Sequence, residues 1–261
     1  MLSTKTLRFI PFQFIRRRLI LYTAKRAGVC NHNDEESCDI DKYLETGFLL
    51  SEKNKLRAMQ CMRTPPPIGL RLGKTTNETS FAAVLICLCT DERDEVSILY
   101  TRRSSRLSRH SRQISFPGGI MDPDDADFID CALREAEEEI GLSRRRIHVW
   151  GSGTIIKPRH TAAIMPVVAV VNNFNLKELK LNEDEVEEAL LMPLKELVHP
   201  KTLRHTQFRG GWSTPNFVIG HNKVWGITGF ITNTFLQCLI PIDLKRLKHH
   251  AKYIRPFKIK N

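Results

Sequence analysis

Three glutamates at helical spacing are the residues of this chain that most directly indicate chemistry. Glu135, Glu138 and Glu139 lie three and four positions apart, so on a helix their carboxylates share one face. Like charges at this spacing destabilise an isolated helix by roughly 0.2–0.5 kcal/mol per pair. A divalent cation would offset that repulsion, and Mg²⁺ binds proteins through a few carboxylates while it also contacts substrate phosphates. The spacing therefore predicts a Mg²⁺ or Mn²⁺ site, with a solvated acidic face as the alternative.

The segments on either side of the glutamates indicate how they are positioned. Gly118 and Gly119 end a loop, and an acidic turn follows at residues 122–125. Pro123 and its neighbouring aspartates are typical of a helix N-terminus, and Gly141 is typical of the residue just after a helix. Apolar residues recur between these signals at three- and four-residue spacing, which predicts a helix with one buried face: Ile129, Ala132, Leu133, Ala136 and Ile140.

Together these residues resemble the Nudix box, G-x5-E-x7-R-E-U-x-E-E-x-G-U. Gly119 and the run R-E-A-E-E-E-I-G-L at residues 134–142 match the pattern. There are two departures: Asp125 stands where the pattern has Glu, and eight residues instead of seven separate it from Arg134. Both departures resemble the coenzyme A diphosphatase branch of the family, which has F-P-G-G-x-x-D-P-x-D.

Residues upstream of the box resemble the same branch. The run L-Y-T-R-R-S at residues 99–104, followed by F-P-G-G at 116–119, is similar to the signature L-L-T-x-R-S…F-P-G-G. Arg103 matches the arginine of that signature. Ser108 and Arg112 depart from it, because they stand where the signature has Arg and Gly.

The resemblance implies both a fold and an activity. The fold is α/β, a Nudix-type α-β-α sandwich whose mixed sheet packs against the helix of the box. The activity is hydrolysis of the diphosphate bond of coenzyme A or acyl-CoA, giving 3′,5′-ADP and 4′-phosphopantetheine or its acyl form. The alternatives are a Nudix pyrophosphatase acting on ADP-ribose, NADH or a dNTP, a nucleotide-binding Nudix module without activity, and an RNA-cap hydrolase. The intact glutamates argue against loss of activity, and the sequence shows no RNA-binding motif.

Cleaving an anionic, inert diphosphate needs a cation, a positioned water and a base. We expect Arg134 to hold the carboxylates, because arginine makes bidentate pairs with them. The general base is either one of the three glutamates or Glu185, which the resemblance places in that role through the family's N-x-x-E-V. We expect four metal ligands: Glu135, Glu138, Glu139 and the carbonyl of Gly119.

The substrate anions need a separate set of cations. Residues 101–112 are densely basic and directly precede the glycine loop, so we expect some of them to contact the substrate, with an exposed charged loop as the alternative for each. Arg103 is the first choice, because it matches the signature. The substrate-binding candidates are Arg102, Arg103, Arg106, Arg109 and Arg112, together with Gly118 of the glycine loop.

Charge and composition restrict the class of protein. With 41% hydrophobic and 26% charged residues the chain is globular in composition, and no apolar run is long enough to span a membrane. The net charge is +11, but residues 1–33 carry seven basic residues and no acidic one, and residues 241–261 carry seven basic residues against Asp243. The part between these ends is nearly neutral, which disfavours nucleic acid as a partner. A small-molecule substrate is what the resemblance implies.

The same pattern predicts four segments. Residues 1–33 are basic, amphipathic and free of acidic residues, which is typical of a mitochondrial presequence and predicts a matrix location; a secretory signal and a membrane-surface helix are the alternatives. Residues 34–78 are predicted to be a linker with one helix, residues 79–240 the Nudix hydrolase domain, and residues 241–261 a basic C-terminal tail. Seven cysteines without a CxxC pair, with Cys87 and Cys89 on one face of a strand, predict buried free thiols in a reducing compartment.

Periodicity predicts the remaining elements. A helix is expected at residues 51–63, with Ser51 as its cap and the prolines at 65–67 after its end. Residues 162–171 are continuously apolar, which predicts a strand buried on both faces. The other expected elements are strands at 81–90, 96–101 and 147–156, a hairpin-like pair from 208–212 and 217–219, and a helix at 227–239.

The basic N-terminal stretch generates a prediction about location. A fluorescent protein fused behind residues 1–33 should enter mitochondria, because import recognises basic, acid-free amphipathic segments. Changing Arg16, Arg17 and Arg18 to Glu should abolish import, as fluorescence microscopy against a matrix marker would show. A fusion that stays cytosolic with these arginines intact would refute the presequence.

Overall fold

The computed structural model of the chain describes residues 40–64, 80–108, 110–158, 161–207 and 213–241. The predicted presequence, the tail from residue 242 onwards and the prolines at 65–67 lie outside the described residues, as do Cys30, Cys38 and Arg109. None of the helices within these ranges has both the length and the apolar character needed to cross a membrane.

A seven-stranded mixed sheet forms the centre of the described part. Strand β1 pairs in parallel with β6, from Phe81 opposite Ala163 to Cys89 opposite Val171, and the other pairings of the sheet are antiparallel. The order is β3-β2-β1-β6-β5, with β4 also paired to β1 and β7 to β2. The strands are β1 (Phe81–Thr90), β2 (Val96–Arg103), β3 (Ile114–Ser115), β4 (Gly118–Ile120), β5 (His148–Ser152), β6 (Ala163–Val171) and β7 (Val186–Pro193).

Helices cover both faces of this sheet. Two hydrophobic clusters lie on opposite faces of the sheet. Helices α3 (Glu52–Arg63) and α6 (Gly226–Leu239) belong to one cluster, and α4 (Phe128–Ile140) belongs to the second. Three short helices are peripheral. Side chains alternate along a strand, so Ile86 of β1 packs towards α6 and Leu85 towards α4. This arrangement confirms the predicted α-β-α sandwich. The peripheral helices are α1 (Asp41–Leu44), α2 (Thr46–Leu49) and α5 (Leu194–Leu197).

Most of the predicted elements are found. The strands expected at 81–90, 96–101 and 162–171 agree with β1, β2 and β6, and β6 lies between β1 and β5 as a strand buried on both faces should. The strand expected at 147–156 is shorter, since β5 ends at Ser152. The helices expected at 51–63 and 227–239 agree with α3 and α6.

A second, three-stranded antiparallel sheet precedes α6. It consists of β8 (Leu203–Gln207), β9 (Ser213–Ile219) and β10 (Asn222–Val224). The predicted segment 217–219 belongs to β9, but the partner expected for it was wrong, because β9 pairs with β8. Residues 208–212 lie outside the described residues; they contain Gly210-Gly211, a turn signal that the prediction overlooked.

Helix α3 is part of the hydrophobic core of the described chain. It begins after Ser51, whose hydroxyl accepts a hydrogen bond from the Asn54 N–H (3.2 Å), so the predicted N-cap is confirmed. Ala58, Met59 and Met62 are buried in the cluster that α3 shares with α6. A helix from the predicted segment 34–78 therefore packs directly on the seven-stranded sheet, and the domain boundaries stay a prediction.

The five cysteines that the structure describes divide into two groups. Cys87, Cys89 and Cys131 are buried free thiols, and the Sγ atoms of Cys87 and Cys89 lie 3.7 Å apart, which confirms that these two share one face of β1. Cys61 of α3 and Cys238 of α6, in contrast, form a disulfide. The prediction of free thiols is wrong for this pair, because 177 residues separate the two and spacing alone does not reveal a pairing between distant cysteines.

The disulfide generates a prediction about stability. A bond that closes so long a loop restricts the unfolded chain, and its loss should lower the free energy of unfolding by about 2–4 kcal/mol. Cys61→Ala should therefore unfold at a lower temperature than the wild type. Dithiothreitol should lower the wild-type midpoint and leave that of Cys61→Ala unchanged.

Scanning calorimetry with and without dithiothreitol measures both effects. Cys131→Ala is the matched control, because Cys131 is buried and free; its midpoint should fall on reduction as much as that of the wild type. A wild-type midpoint that is insensitive to the reductant would contradict the prediction.

Candidate active site

Helix α4 begins later in the chain than the sequence predicted. Its N-cap is Asp127, whose carboxylate accepts hydrogen bonds from the N–H groups of Ile129 (2.7 Å) and Asp130 (2.8 Å). The predicted acidic turn at residues 122–125 is found, since Asp125 accepts the Asp122 N–H (2.8 Å), but Pro123 and its aspartates precede the helix and do not form its N-terminus. The helix ends as predicted, with Gly141 in the left-handed conformation at φ 67°.

A bidentate ion pair joins this turn to the helix. Arg134 donates from Nε to Oδ1 of Asp125 (2.8 Å) and from Nη2 to Oδ2 (2.9 Å), and the Asp125 side chain is only 2% exposed. The Arg134 hydrogen bonds hold the pKa of Asp125 well below its usual range, and Asp125 in turn raises the pKa of Arg134. Both groups therefore stay charged at physiological pH.

Arg134 also reaches two of the three predicted glutamates. Its Nη1 donates to Oε2 of Glu138 (2.9 Å) and lies 3.2 Å from Oε1 of Glu135. Its Nη2 donates to the carbonyl of Ile120, just after the glycine pair (3.2 Å). One guanidinium thus contacts the loop, the turn and the helix. The sequence predicted its contact with the glutamates but not those with the loop and the turn.

Glu135 lies directly against the glycine loop. A Cβ atom added to Gly119 would stand 2.4 Å from Oε1 of Glu135, closer than real Cβ contacts allow. The approach of this carboxylate to the loop therefore requires glycine at position 119. Burial raises the pKa of Glu135, and Arg134 partly opposes that shift.

Glu139 is the most buried member of the set, with 3% of the residue exposed. Its Oε2 accepts a hydrogen bond from the Gly118 N–H (3.2 Å). Burial is the main cause that raises its pKa to about 8; the Gly118 N–H and the charge of Arg103 oppose the shift, and the charges of Glu135 and Glu185 add to it. A buried carboxylate with so few donors is costly to ionise.

Glu185 lies in an exposed loop that is fixed at both ends. The Asn182 N–H donates to the carbonyl of Glu139 (2.9 Å), and the Ser104 N–H donates to the carbonyl of Glu185 (2.8 Å). The Ser104 hydroxyl also donates to the carbonyl of Glu183 (2.9 Å). These contacts place Glu185 close enough for its charge to raise the pKa of Glu135 and of Glu139.

The donor set fits a hard divalent cation in its chemistry. Glu135 and Glu139 offer carboxylate oxygens beside the glycine loop, both with raised pKa and in mutual repulsion that a dication would relieve. Glu138 is half exposed and turned to Arg134. In the described part of the chain, no three His, Cys, Asp or Glu side chains are already arranged to hold a metal ion, so a cation would have to draw the carboxylates together.

The predicted substrate-binding arginines divide between the two faces of the sheet. The charge of Arg103 acts on Glu139, whereas Arg102 donates from Nε to Glu188 (3.0 Å) and from Nη2 to Asn222 (2.6 Å). Two more of the predicted substrate-binding arginines make exposed ion pairs: Arg106 with Asp184 (2.7 Å), and Arg112 with Glu187 (3.7 Å).

Arg112 has an unusual backbone conformation, with φ 59°. This left-handed region favours glycine, which is the residue that the signature has at this position. The backbone at position 112 therefore has the conformation that suits the glycine of the signature, although this chain has an arginine there.

Sequence reasoning missed the roles of Asp125, Glu188 and Asn222. Asp125 was noted as a departure from the box but not as the partner of Arg134, which lies nine residues further along the chain. Glu188 and Asn222 lie 86 and 120 residues from their partner Arg102, and no local pattern connects residues at that distance.

Comparison with known proteins gives consistent results. A model of the NUDIX domain matches residues 79–210. The mitochondrial coenzyme A diphosphatase NUDT8 of Mus musculus is 44% identical over 165 residues, 61% of this chain and 78% of the relative. The human protein of the same name is 42% identical over 165 residues, covering 61% and 70%, and Nudix hydrolase 3 of Caenorhabditis elegans is 31% identical over 190 residues, covering 66% and 78%.

The raised pKa of Glu139 generates a prediction about pH and stability. The unfolded carboxyl loses its proton near its ordinary pKa of about 4.5, but the folded one retains it to about 8. Folding therefore binds a proton between these values, so the destabilisation by Glu139 grows as pH rises and is complete above pH 8. Glu139→Gln should stabilise the metal-free protein at pH 8.5 by on the order of 5 kcal/mol, and not at pH 4.5.

Calorimetry in EDTA at the two pH values measures this difference. The same substitution should lower kcat at least about 100-fold, because it removes a charge from the catalytic centre and not a packing contact. Glu138→Gln, on the exposed side of the same helix, is the control for stability and should change the midpoint little at either pH. A Glu139→Gln protein less stable than the wild type at pH 8.5 would show that the carboxylate stabilises the fold.

Proposed function

The chain belongs to the NUDIX family of hydrolases, and from this premise we propose that it hydrolyses the diphosphate bond of coenzyme A or acyl-CoA. A water molecule attacks one phosphorus of the diphosphate, the bond from that phosphorus to the bridging oxygen breaks, and a base accepts the proton of the water. The products are 3′,5′-ADP and 4′-phosphopantetheine, or its acyl form.

The observation that carries the substrate assignment is the identity of 44% and 42% to two proteins named mitochondrial coenzyme A diphosphatase, across 78% and 70% of their lengths. The geometry supports the reaction class. Two buried carboxylates lie against the glycine loop, and the cation of Arg103 lies on the same side of the sheet. A diphosphate needs this combination of a base, a site for a cation and a fixed positive charge.

A divalent cation, Mg²⁺ or Mn²⁺, would be held by the carboxylates of Glu135, Glu138 and Glu139 with the carbonyl of Gly119. When bound, it neutralises charge on the diphosphate oxygens and lowers the pKa of water. The remaining tasks belong to the chain. Arg134 keeps Glu135 and Glu138 in place from its ion pair with Asp125.

Two candidates remain for the base that accepts the proton of water. Glu139 is buried beside Gly118, and burial raises its pKa in the metal-free chain. Glu185 is exposed on a loop that is fixed at both ends, where solvent can reach its carboxylate. If Glu185 is the base, Glu185→Gln should lower kcat as strongly as Glu139→Gln without stabilising the metal-free protein.

Arg103, Arg106, Arg112 and Gly118 are the proposed contacts of the substrate. Among the arginines, Arg103 is the strongest candidate, because it is half-buried and faces the carboxylates, whereas Arg106 and Arg112 are exposed. We also propose a mitochondrial matrix location, supported by the basic, acid-free residues 1–33 and by the mitochondrial names of the relatives.

A substrate panel tests the proposed function. With Mg²⁺ and with Mn²⁺, the rate of hydrolysis of coenzyme A should exceed that of dephospho-CoA, ADP-ribose and NADH, and EDTA should abolish it. Full activity in a metal-free preparation would refute the metal site. A wild-type enzyme that prefers ADP-ribose to both forms of CoA would assign the chain to a different substrate class.

Arg103→Ala distinguishes the two ends of the substrate. If Arg103 binds the 3′-phosphate, a charge-assisted contact worth about 1.5–3 kcal/mol is lost, and kcat/KM for coenzyme A should fall roughly 10- to 150-fold. Dephospho-CoA lacks this phosphate, so the fall in kcat/KM for dephospho-CoA should be smaller. Equal losses for the two substrates would place Arg103 at the diphosphate instead.

A further inference from the structure

Two consecutive arginines end strand β2 and point to opposite faces of the main sheet. Residues before them alternate, since Leu99 lies in the cluster on the α4 side and Tyr100 in the cluster on the α6 side. Arg102 continues this alternation towards the three-stranded sheet, where it contacts Asn222. Arg103 faces the α4 side, where the carboxylates lie.

A β-bulge separates these two arginines. In the ladder between β2 and β7, Arg102 pairs with Glu188 and Arg103 pairs with Val186, so Glu187 is an extra residue on β7. A bulge bends its strand and changes the direction of neighbouring side chains. The direction of Arg103 therefore depends on what keeps the end of β2 in this irregular register.

The side chain of Arg102 is held from two further elements. Its Nε donates to Glu188 of β7 and its Nη2 donates to Asn222 of β10, at 3.0 and 2.6 Å, and only 17% of the side chain is exposed. Charge-assisted hydrogen bonds of this kind are stronger than neutral ones. They connect β2, β7 and the small sheet at the residue that directly precedes Arg103.

Arg103, in contrast, has an unused donor. Its Nε atom is buried and has no hydrogen-bond partner among the residues that the structure describes. A buried donor without a partner costs about 1–3 kcal/mol, so the surrounding structure must hold Arg103 in this position. The backbone does so in part, since the Arg103 N–H donates to the carbonyl of Gln113 and its carbonyl accepts from the Arg112 N–H, both at 3.0 Å.

We propose that Asn222 and Glu188 are positioning residues for the reaction: through Arg102 they fix the end of β2 and keep the free donor of Arg103 directed at the substrate phosphates. This inference rests on one part of the proposed function, namely that the substrate is a phosphate anion. It assigns to the small sheet a role in the active site, which Asn222 exerts through Arg102.

A double-mutant cycle tests this proposal. Asn222→Ala should lower kcat/KM about tenfold, because a small displacement of a positioned cation costs one to two orders of magnitude. In the Arg103→Ala background the same substitution should have less than a twofold effect, since Asn222 acts through Arg103. Asn222→Asp retains an acceptor for Arg102 and should stay within twofold of the wild type.

The control variant is Lys223→Ala, which changes an exposed neighbour on the same strand and should leave kcat/KM unchanged. The cycle uses whichever substrate of the panel the wild type hydrolyses fastest, so rejection of coenzyme A would refute the substrate but not the positioning. Calorimetric titration with inorganic pyrophosphate in the absence of metal measures the affinity for a phosphate anion without turnover. It allows the effect of Asn222→Ala to be compared in the wild-type and Arg103→Ala backgrounds. Equal effects of Asn222→Ala in both backgrounds, or no effect in either, would overturn the proposal.

Discussion

The bidentate ion pair between Asp125 and Arg134 is the contact on which the geometry of the site depends. Because a guanidinium is planar and its donors have fixed directions, two hydrogen bonds to Asp125 also determine where Nη1 points, and Nη1 meets Glu135 and Glu138. The pair joins the turn at residues 122–125 to Arg134 of the helix that follows it. A lysine would supply the charge at position 134 but not these directions.

The same site contains charges that oppose folding. Glu139 is buried with one donor, the Gly118 N–H, and Glu135 is pressed against Gly119. Their raised pKa values express the cost of removing carboxylates from water. The rest of the fold offsets that cost: the loop is paired with β1 through β4, and α4 presents Ala132, Ala136 and Ile140 to the core. Unfavourable buried charges in a fold whose other contacts are favourable are typical of a functional site.

The features that the sequence predicted are local, and those it missed are not. Hydrophobic periodicity and turn residues within a few positions predict helix α4 with its glutamates and its glycine end. They also predict strands β1 and β6. The start of α4 was missed because four aspartates compete for the cap and only the position of Asp127 suits it. The partners of Arg102 and the bond between Cys61 and Cys238 depend on contacts across 86 to 177 residues, which appear only when the sheet is assembled.

The disulfide does not hold α3 on α6 by itself. The last carbonyls of a helix lack partners within it, and at the end of α6 the carbonyl of Leu239 accepts hydrogen bonds from Nδ2 of Asn54 and Nη2 of Arg57. Arg57 also places a positive charge at a helix C-terminus, where it is favourable. With Met59 and Met62 buried beside these contacts, α3 retains apolar and polar attachments when the bond is reduced. The disulfide is therefore compatible with a protein that works in a reducing compartment, where it adds stability only in the oxidised fraction.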